Sequence, residues 1–147
     1  IAQVALPESC AHGSYFAPRA YEIPSLATLT REVFGPVLHV VRYAAKDLDA
    51  VIDAINATGY GLTLGIHSRI DGTVAHIQRR ARAGNCYVNR NMIGAVVGVQ
   101  PFGGEGLSGT GPKAGGPHYL ARFATERTLT INTTAAGGNA SLLTLGT

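Results

Sequence analysis

The chain has 147 residues, 46% of them hydrophobic, and a formal net charge of +3. This composition predicts a globular domain with a core of useful size rather than a disordered tail. The apolar stretches are too short to span a membrane and the positive charges are dispersed, so we expect a cytoplasmic protein with no transmembrane segment and no nucleic-acid partner.

In chain order, residues 15–23 predict a strand, in which Pro18 is expected at the edge of a sheet or at the start of the strand. A strand at 37–43, a helix starting at Asp47 and ending near residue 58, and a strand at 62–67 come next. A second helix from Asp71 to Gly84 and a strand at 85–89 complete the unit. This alternation predicts an α/β fold with a mostly parallel sheet that is covered on both faces.

Glycines are concentrated between Gly94 and Gly116, which predicts a series of turns where the backbone approaches another group closely. Residues 118–123 predict a short helix. Residues 125–133 then alternate polar and apolar, as expected of a strand with one wet face. Because this strand is isolated from the predicted sheet, we expect another subunit to pair with it.

Several patterns that often indicate catalytic, cofactor or metal sites lack the neighbouring residues that those sites require. Residues 104–109 match the dinucleotide fingerprint, but the surrounding prolines prevent the helix that this motif requires. Cys86 lies in an apolar strand and is predicted to be in the core, and nothing local fixes His12 as a base for Cys10. The histidines lack metal-ligand spacing. We therefore expect no catalytic residue and no metal site in this chain.

Glu32 and Phe34 stand two residues apart, just before the turn at 35–36. In an extended segment they lie on one side, where the carboxylate can accept hydrogen bonds from ribose hydroxyls and the ring can pack against the sugar. Taken alone, the segment favours the alternative of a helix-to-strand turn with a solvated glutamate and a core phenylalanine.

Residues 91–104 form the second informative stretch. A turn at Gly94 and Ala95 can direct successive backbone amides outward, which suits a carboxylate ligand. Phe102, between Pro101 and a glycine pair, can form a wall for an aliphatic substrate. The alternative is a hairpin with its core aromatic. We expect this stretch and the Glu32 segment to converge on one cleft.

Together these motifs resemble the aldehyde dehydrogenases. Residues 32–36 are similar to that family's E-x-F-G-P segment, and residues 102–109 to its later F-G-G-x-x-x-S-G segment, in the same order and at a similar separation. The run 89–119 resembles the branch that oxidises glutamate γ-semialdehyde. The tail from residue 132 resembles that of the bifunctional bacterial proline utilization A proteins.

The resemblance implies that Glu32 and Phe34 contact the nicotinamide ribose of NAD. It also implies that Gly94 and Ala95 donate N–H groups to the substrate carboxylate and that Phe102 contacts the aliphatic part. The implied reaction oxidises glutamate γ-semialdehyde to glutamate through a thiohemiacetal and a thioester. FAD would be required only if a proline dehydrogenase domain lies upstream.

The family's cysteine nucleophile lies in a motif that residues 9–11 do not match. We therefore expect a C-terminal part of a longer enzyme, inactive alone, with the upstream part as its partner. Residues 1–124 would belong to the catalytic domain, 125–134 would form an oligomerisation strand and 135–147 a tail. Two alternatives stay open: a non-catalytic glycine-rich module that binds an anion or a partner, and an aldehyde dehydrogenase for another aldehyde.

Overall fold

The computed structural model describes residues 1–133 and 135. Within this range the regular elements are short, and the sequence prediction places most of them within a few residues. The strands are β1 (Ala2–Gln3), β2 (Arg19–Glu22), β3 (Val37–Val40), β4 (Tyr60–Gly61), β5 (Thr63–Ile66), β6 (Asn85–Val88) and β7 (Glu105–Gly106). The helices are α1 (Leu48–Ala57) and α2 (Asp71–Arg80), and 3-10 turns occur at Glu8–Cys10, Leu26–Thr28, Ala45–Asp47 and Leu120–Phe123.

Parallel pairing, which the alternation of strands and helices predicts, is present in two places. β2 pairs with β3 in parallel, and β5 pairs with β6 in parallel. β1 adds to β2 in the antiparallel direction, so β2 is central, and of the two positions that Pro18 allowed, the edge and the strand start, the second holds. Pro18 directly precedes β2, where its missing N–H costs no ladder bond.

The prediction of one continuous sheet is wrong for the described residues. β3 and β5 follow each other along the chain with α1 between them, yet they belong to separate sheets. A cavity lined by His39 of β3 and Leu64 of β5 lies between the two strands. Each of these strands therefore presents one edge on which no described residue forms a ladder.

The two helices are joined by side chains that the sequence prediction did not connect. Asn56 of α1 donates to the Arg80 carbonyl at 2.9 Å and accepts from the Arg82 N–H at 2.8 Å. These bonds satisfy backbone groups where α2 stops, and Ala81 is already extended with ψ 136°. This explains why α2 ends at Arg80 and not at Gly84, where the sequence predicted its end.

A charged network also crosses the helix pair. Arg80 contacts Asp49 at 2.6 Å and Asp53 at 2.8 Å, and His76 contacts Asp49 at 2.5 Å. The hydrogen bond from His76 and the nearby Arg80 charge hold the pKa of Asp49 below its usual range. Asp47 stands at the N-cap position of α1, but its side chain makes no capping bond.

The buried core is small. Among the described residues, only Ala17, Ile52, Ile66 and Tyr87 are buried hydrophobics. The expectation of a core of useful size is therefore wrong for this part of the chain. Most of the apolar residues predicted for the inward faces of the helices are half-buried, and many other large apolar side chains are exposed.

The C-terminal region differs most from the prediction. Residues 118–123 contribute only a 3-10 turn, at Leu120–Phe123, and residues 125–133 form no strand. No strand pairing among the described residues includes this segment. Residue 134 and most of the predicted tail lie outside the described residues. No helix within the described range has the length and apolar character needed to cross a membrane.

Candidate functional site

Glu32 lies on the wall of a cavity of about 460 Å³. The cavity is lined by the 29–33 segment, by the 60–64 segment that leads into β5, and by residues 81–83 just before β6. Glu32 is exposed, and none of the ion pairs or side-chain hydrogen bonds of the described residues involves it. Its carboxylate oxygens are thus available to accept hydrogen bonds from a ligand.

Phe34 does not line this cavity and is 89% exposed. The alternative of a core phenylalanine is therefore wrong. Gly35 turns the chain with φ +133°, and the Pro36 carbonyl accepts the Arg19 N–H of β2 at 3.0 Å. The turn fixes the end of the 32–36 segment to the first sheet and leaves the phenyl ring with an open face.

The 94–100 turn begins six residues after β6 ends. The Val96 carbonyl accepts the Val99 N–H at 3.0 Å, with Gly98 at φ +79° in the position that requires glycine, and the Val96 N–H donates to Gln100 Oε1 at 3.0 Å. By contrast, no bond within the described residues uses the N–H of Gly94 or Ala95. Two consecutive donors therefore stand free directly before a braced turn.

Phe102 sits in a well-defined backbone setting. Its N–H donates to the Ala114 carbonyl at 3.0 Å, and its carbonyl accepts the Ala114 N–H at 2.8 Å. The side chain is 36% exposed, so the ring is accessible while its backbone is held. This differs from a core aromatic and agrees with a wall for a ligand.

The structure places parts of the two predicted stretches at the same end of β6. Pro101 and Gly103 form hydrogen bonds with Asn85, the first residue of β6. Gly104 packs closely against Gly61, and Gly61 lines the cavity that also contains Glu32. Gly94 and Ala95 follow the other end of that strand. No cavity described here is lined by residues of both stretches, so their convergence on one cleft stays a prediction.

The two cysteines lack the setting of a nucleophile. Cys86 is exposed, which corrects the expectation that it lies in the core. Cys86 alternates along β6 with Asn85 and Tyr87, which are both buried. The side chains of Asn85 and Tyr87 therefore point inward and that of Cys86 points outward. Partial burial raises the pKa of the Cys86 thiol and so favours the unreactive protonated form. No hydrogen bond of the described residues joins Cys10 to His12.

The glycine-rich motif at 104–109 forms a two-residue strand and a turn, and no helix follows directly. Glu105 and Gly106 pair with β4, and Ser108 Oγ accepts the Gly61 N–H at 3.0 Å. The motif is therefore a structural connection, as the flanking prolines predicted. In the described residues, no cluster of three metal-ligating side chains occurs.

Sequence reasoning missed Asn85 and Lys113. Asn85 is the one buried polar residue of the described range and bonds to both sides of Phe102. Lys113 donates to the Gly84 carbonyl and, at 3.3 Å, to Asn85 Oδ1. An asparagine on the inward face of an apolar strand was the available signal, since such a group needs buried partners.

Comparison with known proteins agrees with this geometry. The model of the aldehyde dehydrogenase family matches residues 2–129. The chain is 59% identical over 125 residues to the bifunctional protein PutA of Rhizobium meliloti, covering 85% of this chain and 10% of that protein. It is 41% identical over 106 residues to a 1-pyrroline-5-carboxylate dehydrogenase of a Geobacillus species, covering 72% and 20% respectively.

A solved structure of a Bradyrhizobium japonicum proline utilization A variant superimposes with a TM-score of 0.78 at 67% identity, over 84% of this chain and 13% of that one. The chain belongs to the aldehyde dehydrogenase family and carries part of its mixed α/β fold. Within the family it is similar to the proline utilization A and 1-pyrroline-5-carboxylate dehydrogenase proteins, of whose length it spans between a tenth and a fifth.

Proposed function

We propose that this chain is the C-terminal part of an NAD-dependent L-glutamate γ-semialdehyde dehydrogenase that acts in proline catabolism. The observation that carries the proposal is the pair of free amides at Gly94 and Ala95, in a chain similar to proteins named for this substrate's cyclic form. Two adjacent N–H donors can hold a carboxylate without a cationic side chain. The α-carboxylate of the semialdehyde is such a ligand, and a simple aliphatic aldehyde has none.

Phe102 supplies the second contact of the proposed substrate site. Its ring is accessible and its backbone is fixed by the Ala114 bridge. A flat apolar surface excludes water from the methylene groups between the carboxylate and the aldehyde. Anchoring one end of the substrate and covering its apolar middle therefore both contribute to substrate binding.

Glu32 and Phe34 supply the proposed contacts to the nicotinamide ribose. The residues fit this group, since the Glu32 carboxylate is unengaged beside a cavity and the Phe34 ring is open to solvent on its face. NAD, when bound, accepts the hydride from the substrate. The described residues contain no glycine-rich turn that opens a helix, so the pyrophosphate contacts belong to another part of the enzyme, and these residues do not select between NAD and NADP.

The nucleophile also belongs to the upstream part of the enzyme. Cys86 has a raised pKa and Cys10 has no base bonded to it within the described residues, so neither meets the requirements for attack on an aldehyde. The chain alone is therefore expected to be inactive. A flavin-dependent proline dehydrogenase domain on the same polypeptide would add FAD.

Residues 125–134 are proposed to pair with another subunit, and 135–147 to form a tail. The exposed, alternating polar and apolar residues of 125–133 support this role, because such a segment can form a ladder with a strand of a second subunit. Deleting residues 125–134 from the longer protein should lower the assembled mass measured by light scattering. An unchanged mass would reject the role in assembly.

The direct test measures NAD reduction with glutamate γ-semialdehyde. The longer protein should turn over this substrate, the isolated chain should not, and glutamate should protect competitively. Turnover by the isolated chain would refute the assignment of the nucleophile to the upstream part. If the longer protein oxidises only aldehydes that lack the carboxylate, and glutamate gives no protection, the substrate assignment is wrong.

A further inference from the structure

Asn85 makes every hydrogen bond that its side chain allows. The residue is 6% exposed, and its Nδ2 donates to the Pro101 carbonyl at 3.0 Å and to the Tyr87 hydroxyl at 3.3 Å. Its Oδ1 accepts the Gly103 N–H at 3.3 Å and the Lys113 ammonium at 3.3 Å. A carboxamide has two donors and two acceptor lone pairs, and all four are used here.

The backbone decides which way this amide points. The Pro101 carbonyl can only accept and the Gly103 N–H can only donate, so Nδ2 must face the first and Oδ1 the second. An aspartate would turn a negative oxygen toward the Pro101 carbonyl. A leucine of similar size would leave a buried carbonyl and a buried N–H without partners, which is costly.

Phe102 lies between the two backbone groups that Asn85 holds. On its other side it forms the two-way bridge to Ala114, whose neighbour Lys113 also bonds to Asn85 and to the Gly84 carbonyl. The contacts thus form a closed ring from β6 through Phe102 and Lys113 back to β6. Each side of the Phe102 backbone is fixed, while its ring remains 36% exposed.

We propose that Asn85 is a positioning residue that sets the place of the Phe102 ring against the substrate, with Lys113 as its brace. This inference rests on the proposed function, in which Phe102 contacts the aliphatic part of the aldehyde. Asn85 touches neither substrate nor cofactor in this account. Its effect on binding arises because a displaced ring covers less of the apolar surface of the substrate.

The test uses the longer protein with Asn85→Leu and steady-state kinetics for glutamate γ-semialdehyde and NAD. We expect the KM for the semialdehyde to rise by about tenfold, while kcat and the KM for NAD change by less than about twofold. A general loss of structure would lower kcat and impair NAD binding as well. Equal losses in all three quantities would overturn the proposal.

A double-mutant cycle separates action through Phe102 from any other route. In a Phe102→Ala background, Asn85→Leu should change the KM for the semialdehyde by less than about twofold, because the positioned ring is gone. The same tenfold rise in both backgrounds would overturn the proposal. If Asn85→Leu does not fold, Lys113→Met removes one partner of Asn85 and should give a rise of about twofold to threefold that also disappears without the ring.

Amide hydrogen exchange distinguishes failure of this inference from failure of the proposed function. If the unsubstituted protein does not oxidise the semialdehyde, the proposed function fails, and the cycle is run with the aldehyde that it does oxidise. In either case, the Gly103 amide should exchange faster in Asn85→Leu, and in Lys113→Met if the first variant does not fold. Unchanged exchange would show that Asn85 does not hold this segment and would overturn the proposal.

Discussion

The segment around Phe102 and the turn at Gly94 lie less than ten residues apart, yet they differ in the hydrogen bonding of their backbone N–H and carbonyl groups. Around Phe102, the Pro101 carbonyl and the Gly103 N–H are bonded to Asn85, and the N–H and carbonyl of Phe102 are bonded to Ala114. At Gly94 and Ala95, the N–H groups are bonded to nothing in the described residues. The difference supports the proposal that the first region holds the Phe102 backbone in place, while the second offers free N–H donors to an anionic ligand.

The largest expected effect comes from disturbing the scaffold at Gly84. A Cβ at this position would lie far inside van der Waals contact with the Gly103 carbonyl, so β6 and the 101–104 segment would have to separate. Gly84→Ala should therefore destabilise this part of the longer protein by about 3 kcal/mol, with a lower thermal midpoint. Gly72→Ala is the control, since nothing lies within 4 Å of its Cβ and no loss is expected. Equal midpoints for the two variants would show that the close approach is not structural.

The second effect concerns the free carboxylate of Glu32. Glu32→Ala in the longer protein should lower kcat/KM for NAD by about tenfold to a hundredfold, because hydrogen bonds to a charged group contribute roughly 1.5–3 kcal/mol. The thermal midpoint should not change, since the side chain has no partner within the described residues. Glu8→Gln, another exposed glutamate, serves as the control and should leave the kinetics unchanged. Unaltered NAD kinetics in Glu32→Ala would remove the ribose role.

The third prediction tests whether the free N–H groups of Gly94 and Ala95, and not the turn that follows them, recognise the carboxylate of the substrate. Ala95→Pro deletes one donor and should raise the KM for the semialdehyde by about tenfold, consistent with the loss of a hydrogen bond to a carboxylate. Oxidation of butanal, which lacks the carboxylate, should be little affected. Val97→Pro is the matched control, since it occupies the second position of the turn, where proline is well tolerated. If both variants impair both aldehydes equally, the amides do not recognise the carboxylate.

The smallest effect is a pH dependence far from both regions. The lowered pKa of Asp49 means that its bonds to His76 and Arg80 stabilise the helix pair above the usual aspartate pKa and are lost as the pH falls through the lowered value. Amide exchange in α2 should therefore accelerate at acidic pH, after correction for intrinsic rates. Asp49→Asn should abolish this dependence, whereas Asp47→Asn should not, because Asp47 makes no capping bond. A dependence that survives Asp49→Asn would assign it to another group.

Local patterns predicted the elements that depend on local forces. The spacing of Val51 and Ile52 and the helix stop near residue 58 predicted α1 correctly, and the apolar runs predicted β3, β5 and β6. The sequence could not predict that β3 and β5 lie in separate sheets, because strand neighbours depend on contacts that no local pattern encodes. The early end of α2 likewise depends on Asn56, which lies 24 residues before Arg80.

The residues of the candidate site likewise divide into those that short motifs indicate and those whose importance depends on contacts in space. Glu32, Phe34, Gly94, Ala95 and Phe102 were accessible to sequence reasoning because each belongs to a short motif. Asn85 was not, since its importance depends on Pro101, Gly103 and Lys113 meeting it in space. The misplaced Cys86 shows a related limit: an apolar strand predicts burial in general, but pairing and register decide which face is buried.

A crystal structure of the longer protein with NAD and glutamate bound would test the central claim most directly. We predict that the Glu32 carboxylate accepts hydrogen bonds from the nicotinamide ribose, while the Gly94 and Ala95 amides donate to the α-carboxylate and the Phe102 ring covers the methylene groups. A structure in which the ribose and the glutamate bind away from these residues, with the two stretches facing different cavities, would contradict the account.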